Sequence, residues 1–581
     1  MPSRWSAQLV TCTDGYCRIA PAAELEAANI PRSVEGVITS RIDRLSPAHQ
    51  LTLKVASVIG RVFDCRTLVQ IHPIDADRPL LQGYLDTLEA LEFTPLAADE
   101  PGPTYGFKHL VMQEVVYNLM THQQRQELHR AMAYVMEAMY GDQLASFGVQ
   151  LAQHWGRAGD GARQRHYLKL AAEQSYRFGA YDDCIGHLRA IDAIDAATGM
   201  DGRTDDAAVL AALRGEACLG MADFAGSREH MHRALALLGE PVPASLAGRA
   251  GAILLEVARQ VQRRLLPGLR GRRHDPQRLE ALVGVYERLH EAYFFSGEQT
   301  LMAIASLRGV NLVDRMPPSR HHEFLYAFVG IIVGATGLDA LARSYFELAT
   351  EASKHVPGRA GKAGVNLRHG LYLHTRGEWD HASVLLGQAV EIGRETYDYR
   401  SWLLAMGALQ NCELYRGNHA RALAHEVRDY ADRTGNATAS GYGYGGIGDV
   451  LLRQGDAAGA LACFMQPWQR LDDSFDLPFH AAVLGQMTAA ALATGDRSLA
   501  LLAAERGAGV LAQLAPTYLA ESYTHYTETW AAVLADAALE PAHAHTYRQH
   551  LRARIRHASM AALLFPILRP SVRYACGIAA L

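Results

Sequence analysis

The sequence predicts an all-α protein, a solenoid of stacked helical hairpins preceded by a small domain of short helices closed by a β-hairpin. Two observations carry the solenoid. Gly297, Gly337, Gly377, Gly417, Gly455 and Gly495 stand 40, 40, 40, 38 and 40 residues apart. Five residues after each comes Met302, Ala342, Ala382, Ala422, Ala460 and Ala500. A fixed period with a turn glycine and a mostly small residue at constant offset marks repeated helix pairs, none of which buries its apolar face without stacked neighbours. The third observation is TPLAADEPGPTYGF after Phe93, whose Asp-Glu-Pro-Gly-Pro centre breaks a helix and reads as a turn between two strands.

Composition narrows the function classes. A chain of 581 residues is too long for one core, and the repeat favours a solenoid over several globular domains. With 56 Lys plus Arg against 61 Asp plus Glu, the whole molecule is no electrostatic ligand for nucleic acid or an acidic membrane. Of the eight cysteines only Cys12 and Cys17 are close, and no His or Cys pair nearby completes a zinc site. Free thiols in a reducing cytoplasm are expected. The opening MPSRWSAQLV lacks the apolar stretch of a secretory signal. Phe324 to Leu338 is uncharged but shorter than the roughly 20 residues a span needs, so a buried helix pair and no membrane span are expected.

The elements follow in order. SVEGVITSRIDRLS places Val34, Val37, Ile38, Ile42 and Leu45 at helical spacing, and Ser46-Pro47 opens the next helix, PAHQLTLKVASVIGRVF. PLLQGYLDTLEALEF is the third, and the hairpin follows. Three small helices and a hairpin outline a winged-helix domain over residues 31–107. HLVMQEVVYNLM and QRQELHRAMAYVMEAMY make a helical connector, 108–150. The hairpin series then runs over 151–581, with Gly179 as turn and Cys184 at the plus-five position, and Ala222 with Ser227 repeating the relation. The 75 residues from 222 to 297 leave room for one repeat that cannot be marked.

Within a repeat, a small residue at plus five admits the second helix close to the first. A larger apolar residue at plus nine and a small one at plus twelve line the same face, as in Ala342, Phe346 and Ala349 or Ala382, Leu386 and Ala389. After Gly417 the corresponding residues are Glu426 and Asp429, a looser fit.

This spacing resembles the tetratricopeptide repeat, although 40 residues exceeds that family's usual 34. A more specific resemblance lies in IPRSVEGVITSRIDRLSPAHQLTLKVASVIGRVF (30–63), FKHLVMQEVVYNLM (107–120), RQELH (125–129) and LAQHWGRAGD (151–160). In this order they look like the region behind the ATPase module of large bacterial signalling ATPases with tetratricopeptide repeats, many of which carry a class III adenylate or guanylate cyclase domain in front. LVTCTDGYCRIAP (9–21) resembles the last piece of that module, so residues 1–30 are expected to be its remnant. The resemblance implies a sensor or scaffold arm that takes a protein or peptide on the solenoid and relays to a nucleotide module. It also leaves open a fragment of a multidomain cyclase or ATPase, or a transcriptional regulator.

No GxxxxGK[ST] occurs, and GRAGKAG (358–364) has the wrong spacing and no hydroxyl after Lys362. The family's nucleotide chemistry therefore falls on no residue here: no catalytic, metal or cofactor residue is expected, ATP belongs to the absent module, and the chain reads as non-enzymatic. Gly443-Tyr-Gly445-Gly446-Ile-Gly448 matches the dinucleotide signature but lacks its preceding strand, so a glycine-rich packed helix is expected. Between Pro79 and Phe107 there is no Lys or Arg, while Asp86, Glu89, Glu92, Asp99 and Glu100 are present, which argues against DNA binding. His109, His129 and His154 read as packing and hydrogen-bonding residues, and His321-His322-Glu323 lacks the later His of a metal site. The candidate dock for an anion or an acidic partner is Arg263, Arg264, Arg270, Arg272 and Arg273, in a basic cluster extending from Arg259 to Arg278, with a solvated loop as the plain alternative.

Overall fold

In a computed structural model, the residues described are 10–13, 16–19, 34–98, 102–199, 204–221, 223–265, 275–296, 298–356, 358–396, 398–418, 421–468, 477–512, 528, 531–533 and most of 548–580. They form two compact units, Met1–Asp201 and Gly202–Leu581.

In the first unit, strands Val10–Thr13 and Tyr16–Ile19 pair antiparallel, with Cys12 opposite Cys17. Helix Val34–Ile42 buries Ile38 and Ile42, whereas Val34 and Val37, expected on the same stripe, face solvent. Ser46 caps helix Pro47–Ile59 by accepting from the His49 amide, and Gly60 ends it. Here the structure corrects the sequence reading: Val62–Asp64 is a strand and does not continue the helix. It pairs with Thr104–Gly106, which also pairs with Leu96–Ala98, so the expected hairpin forms and gains a third strand. Between them lie helices Cys65–Ile71, capped by Asp64, and Leu81–Ala90.

One apolar core joins Leu53, Phe63, Leu68, Leu85, Phe93 and Tyr105 to Met112, Val116 and Leu128. Helix Leu110–Asn118 packs on both Val34–Ile42 and Pro47–Ile59, so the first connector helix completes the small domain's core. Thr121 and Gln124 form a capping box at the start of helix His122–Tyr140. Helices Gly148–Arg157, Gly161–Arg177 and Tyr181–Thr198 follow, with Cys184 fully buried at its plus-five position.

The second unit is a stack of hairpins, and the glycine ruler marks their turns. Gly337, Gly377, Gly417, Gly455 and Gly495 have φ of 82, 80, 80, 86 and 85°. An L-residue is strained in that left-handed conformation, and glycine is not. Gly297 and Ala222 lie outside the described residues. First helices Arg320–Gly334, Ala360–Arg376, Tyr399–Tyr415, Ala437–Arg453 and Leu477–Thr494 each pack on the next, which makes the array a tetratricopeptide-like solenoid. The plus-five residues Ala342, Ala382, Ala460 and Ala500 are fully buried at the crossings. Gly377→Ala is expected to cost about 1 kcal/mol from backbone strain alone, because its Cβ would meet nothing within 4 Å. The urea midpoint of the purified chain checks this.

Two departures from the period have local causes. The second helix after Gly417, Arg421–Thr434, buries Ala424, Val427 and Ala431 and leaves Glu426 and Asp429 exposed, so its register is shifted; Ala422's side chain lies outside the described residues. Between 222 and 297 the expected extra repeat is, among the described residues, a single inserted helix, Leu246–Leu265. Hairpin Thr204–Gly220 and Phe224–Leu237 contacts helix Pro276–Phe295 directly, and the insertion packs on Gln299–Val313. The apolar stretch from Phe324 lies in one buried helix and the turn after it, so only half of the expected helix pair forms there. No helix among the described residues is long and apolar enough to cross a membrane.

Candidate functional site

The inserted helix has its polarity reversed. Its inward residues are Ala252, Glu256, Gln260 and Arg263, while Leu246, Leu254, Leu255, Val257 and Val261 are exposed, Leu246 by 81% and Leu254 by 72%. A helix normally does the opposite, since burying polar groups costs free energy unless each finds a partner.

Here each does. Glu256, 2% exposed, accepts from Arg259 Nη1 at 2.7 Å and Asn311 Nδ2 at 2.8 Å. Gln260 Nε2 donates to Asn311 Oδ1 at 3.0 Å and Asp314 Oδ2 at 2.9 Å, and its carbonyl accepts from Tyr345 Oη at 3.0 Å. The Tyr326 hydroxyl donates to Asp314 at 2.7 Å. Burial raises the proton affinity of both tyrosines, so they remain neutral donors.

The basic cluster divides on this helix. The Arg263 guanidinium donates to the Asn311 carbonyl and lies 3.6 Å from Asp314. Arg264 sits 4.3 Å above the Tyr345 ring. Both therefore strap the insertion to the stack, and neither stands apart as an open anion dock. Arg270, Arg272 and Arg273 lie outside the described residues. Arg278 donates to the Leu238 carbonyl at 2.6 Å.

Beside the straps is a cavity of about 250 Å³, lined among others by Glu240, Glu256, Arg259, Tyr286, Arg308 and Arg315. Sequence reasoning missed Glu240, Tyr286, Arg308 and Arg315, because they come from three segments that only the fold brings together.

The other chemistry-bearing groups are structural. The Ser306 hydroxyl and His290 Nδ1 lie 2.5 Å apart, but both residues are fully buried and the His290 ring packs at a tilt against Phe328. Burial holds His290 at a pKa of about 3. His321 meets Glu287 at 2.5 Å and His322 caps its own helix through Ser319; no metal-holding group of His, Cys, Asp and Glu occurs among the described residues. Burial pushes Glu323 up to about 7 despite nearby Arg368. In the first unit His129 Nδ1 lies 2.8 Å from His154 Nδ1, and His129 Nε2 lies 2.9 Å from the Tyr117 hydroxyl.

The dinucleotide-like glycines lie inside helix Ala437–Arg453, which follows helix Arg421–Thr434 directly. A Cβ on Gly443 would sit 2.5 Å from the Arg428 amide nitrogen, and one on Gly448 would sit 2.5 Å from the Phe464 ring. The glycines permit helix contact and cradle no phosphate.

No protein-family profile matches the chain. An uncharacterized protein of Rhizobium meliloti (strain 1021) is 30% identical over 125 residues, 22% of this chain and 12% of that protein, so the match spans about an eighth of the relative's length. Among solved structures, similarity is found to a Signal Transduction ATPase with Numerous Domains from Pyrococcus horikoshii that carries a tetratricopeptide repeat sensor. It has a TM-score of 0.36 and 13% identity, over 78% of this chain and 68% of that one. Human IFIT1 gives 0.39 and 12%, over 80% and 92%; yeast Tom70 gives 0.33 and 10%, over 79% and 92%. The functional reading therefore rests on this chain's own residues.

Proposed function

We propose that the chain is a non-catalytic scaffold that binds a protein partner on its repeat unit and serves as the sensor arm of a signal-transduction ATPase system. Residues 1–30 are then a remnant of the ATPase module, 31–107 its winged-helix domain, 108–150 the connector and 151–581 the partner-binding array. The order of the small domain, two helices, a strand, two more helices and a hairpin, supports the second assignment. Its helix Leu81–Ala90 carries exposed Asp86 and Glu89 and no basic residue, which suits a protein-facing role better than contact with phosphates.

The observation that carries the partner reading is the outward apolar face of Leu246–Leu265. Five large aliphatic side chains on one helix exceed the scattered apolar residues of an ordinary surface, and such ridges mark protein contacts. The partner fitted to it presents an apolar helix face of its own. A photo-reactive residue at Leu254 is expected to capture one discrete polypeptide in the source cells. The same residue at Val384, an exposed position on second helix Trp379–Glu395, is expected to capture none. Equal labelling at both positions would sink the assignment.

A further inference from the structure

The insertion that breaks the 40-residue period also lines one side of the open cavity, and the charges there do not cancel. Glu256 already accepts from Arg259 and Asn311, one donor on each oxygen. Arg308 Nη1 donates to the Tyr286 hydroxyl at 3.1 Å, but its Nε is buried with no hydrogen-bond partner, 3.6 Å from Glu256. Among the described residues the Arg315 side chain makes no hydrogen bond or ion pair, although it lines the same space. Three guanidinium groups thus face two carboxylates, and one of these already holds two donors.

We propose that this cavity binds a small organic anion, its carboxylate or phosphate held by Arg259, Arg308 and Arg315 and its hydroxyl or amine donating to Glu240. Arginine suits this role because its planar fork pairs bidentately with either group. The volume of 250 Å³ lies just below the roughly 300–1,000 Å³ of drug-sized pockets. It admits a metabolite of a few carbons.

Two further features agree. Burial lowers the proton affinity of Arg315, and like charge from Arg263 and Arg259 adds to the effect, a repulsion that a bound anion relieves. Burial pushes Tyr286 up to about 12, so its hydroxyl keeps a proton to donate to the ligand while accepting from Arg308. The site is independent of the partner ridge, because it lies against the inward face of the same helix. A ligand there would fix the inserted helix against Gln299–Val313.

The test uses the full chain, with thermal unfolding and calorimetry against inorganic phosphate, glycerol phosphate, malate and glutamate at about 10 mM, a concentration that reveals millimolar affinities. At least one probe is expected to raise the melting temperature. Stabilisation by the phosphates alone assigns a phosphate ligand, and by the acids alone a carboxylate. Arg315→Gln is expected to weaken that binding roughly tenfold or more without lowering the ligand-free melting temperature. Arg315→Lys, which keeps the charge and loses the fork, is expected to fall between. Arg359→Gln, at an exposed arginine in the same unit, keeps the full response. The proposal is overturned if no probe stabilises the chain, if Arg315→Gln responds like the wild type, or if Arg359→Gln loses the response equally.

Discussion

Gly443→Ala is expected to destabilise the repeat unit by about 1–3 kcal/mol, the usual cost of overpacking a tight core. The added Cβ would meet Arg428 N at 2.5 Å and Arg428 Cα at 2.6 Å, both backbone atoms of helix Arg421–Thr434. Backbone cannot swing aside as a flexible side chain can, so the two helices of neighbouring hairpins must separate. Gly387→Ala is the matched control, since its Cβ would meet nothing within 4 Å inside helix Trp379–Glu395. There the loss of glycine's unfolded-state freedom is expected to stabilise by about 0.5–1 kcal/mol. Urea unfolding followed by helical dichroism reads both changes. Hydrogen exchange shows whether the loss is confined to Arg421–Thr434 and Ala437–Arg453, as nearest-neighbour coupling in a repeat array requires. A neutral Gly443→Ala would refute close helix contact as the reason for these glycines.

The second large effect is acid lability of the first unit. Burial, then the proximity of His154, Arg157 and Arg125, holds His129 at a pKa of about 3. Burial and Arg157 hold His154 at about 4. In the unfolded chain both take protons near 6.5. Because the folded values are the lower ones, the unfolded state binds more protons throughout that interval. The contribution is therefore fully present above pH 6.5 and is lost progressively as pH falls from there to about 4 for His154 and about 3 for His129. Each tenfold loss of proton affinity on folding corresponds to about 1.4 kcal/mol, so acidification to pH 4 removes on the order of several kcal/mol through the pair together. The melting temperature of Met1–Asp201 signals is expected to fall steeply between pH 6.5 and 4, and His154→Gln to flatten that fall. A pH-independent midpoint over this range would contradict a neutral, mutually hydrogen-bonded pair.

How far the sequence disclosed these features follows from the range of the forces involved. Turn glycines answer a local backbone demand, and the plus-five alanines answer a contact one turn away, so Gly337, Ala342, Gly377 and Ala382 were legible. The loose fit after Gly417 was visible as Glu426 and Asp429, but the buried replacements Ala424 and Val427 were not, since a register shift shows only once the neighbouring helix is placed. Strand Val62–Asp64 is too short to show alternation and exists through its pairing with Thr104–Gly106. The arginine cluster was found by composition, yet composition could not show that Arg263 and Arg264 strap the insertion to the stack or that Arg308 and Arg315 face the cavity.

By itself, then, the sequence determined a helical-hairpin array, its turn positions, the small residues at its crossings and the packed character of its glycine-rich helix. Those properties depend on neighbours within a few residues. Only the tertiary structure decided that, among the described residues, one unmarked repeat is a lone helix, that this helix turns its polar face inward, and that charges from three segments converge on one cavity. Each of these is a choice of which face meets which neighbour. Periodicity reports that a helix has two faces, and packing alone settles which of them is buried.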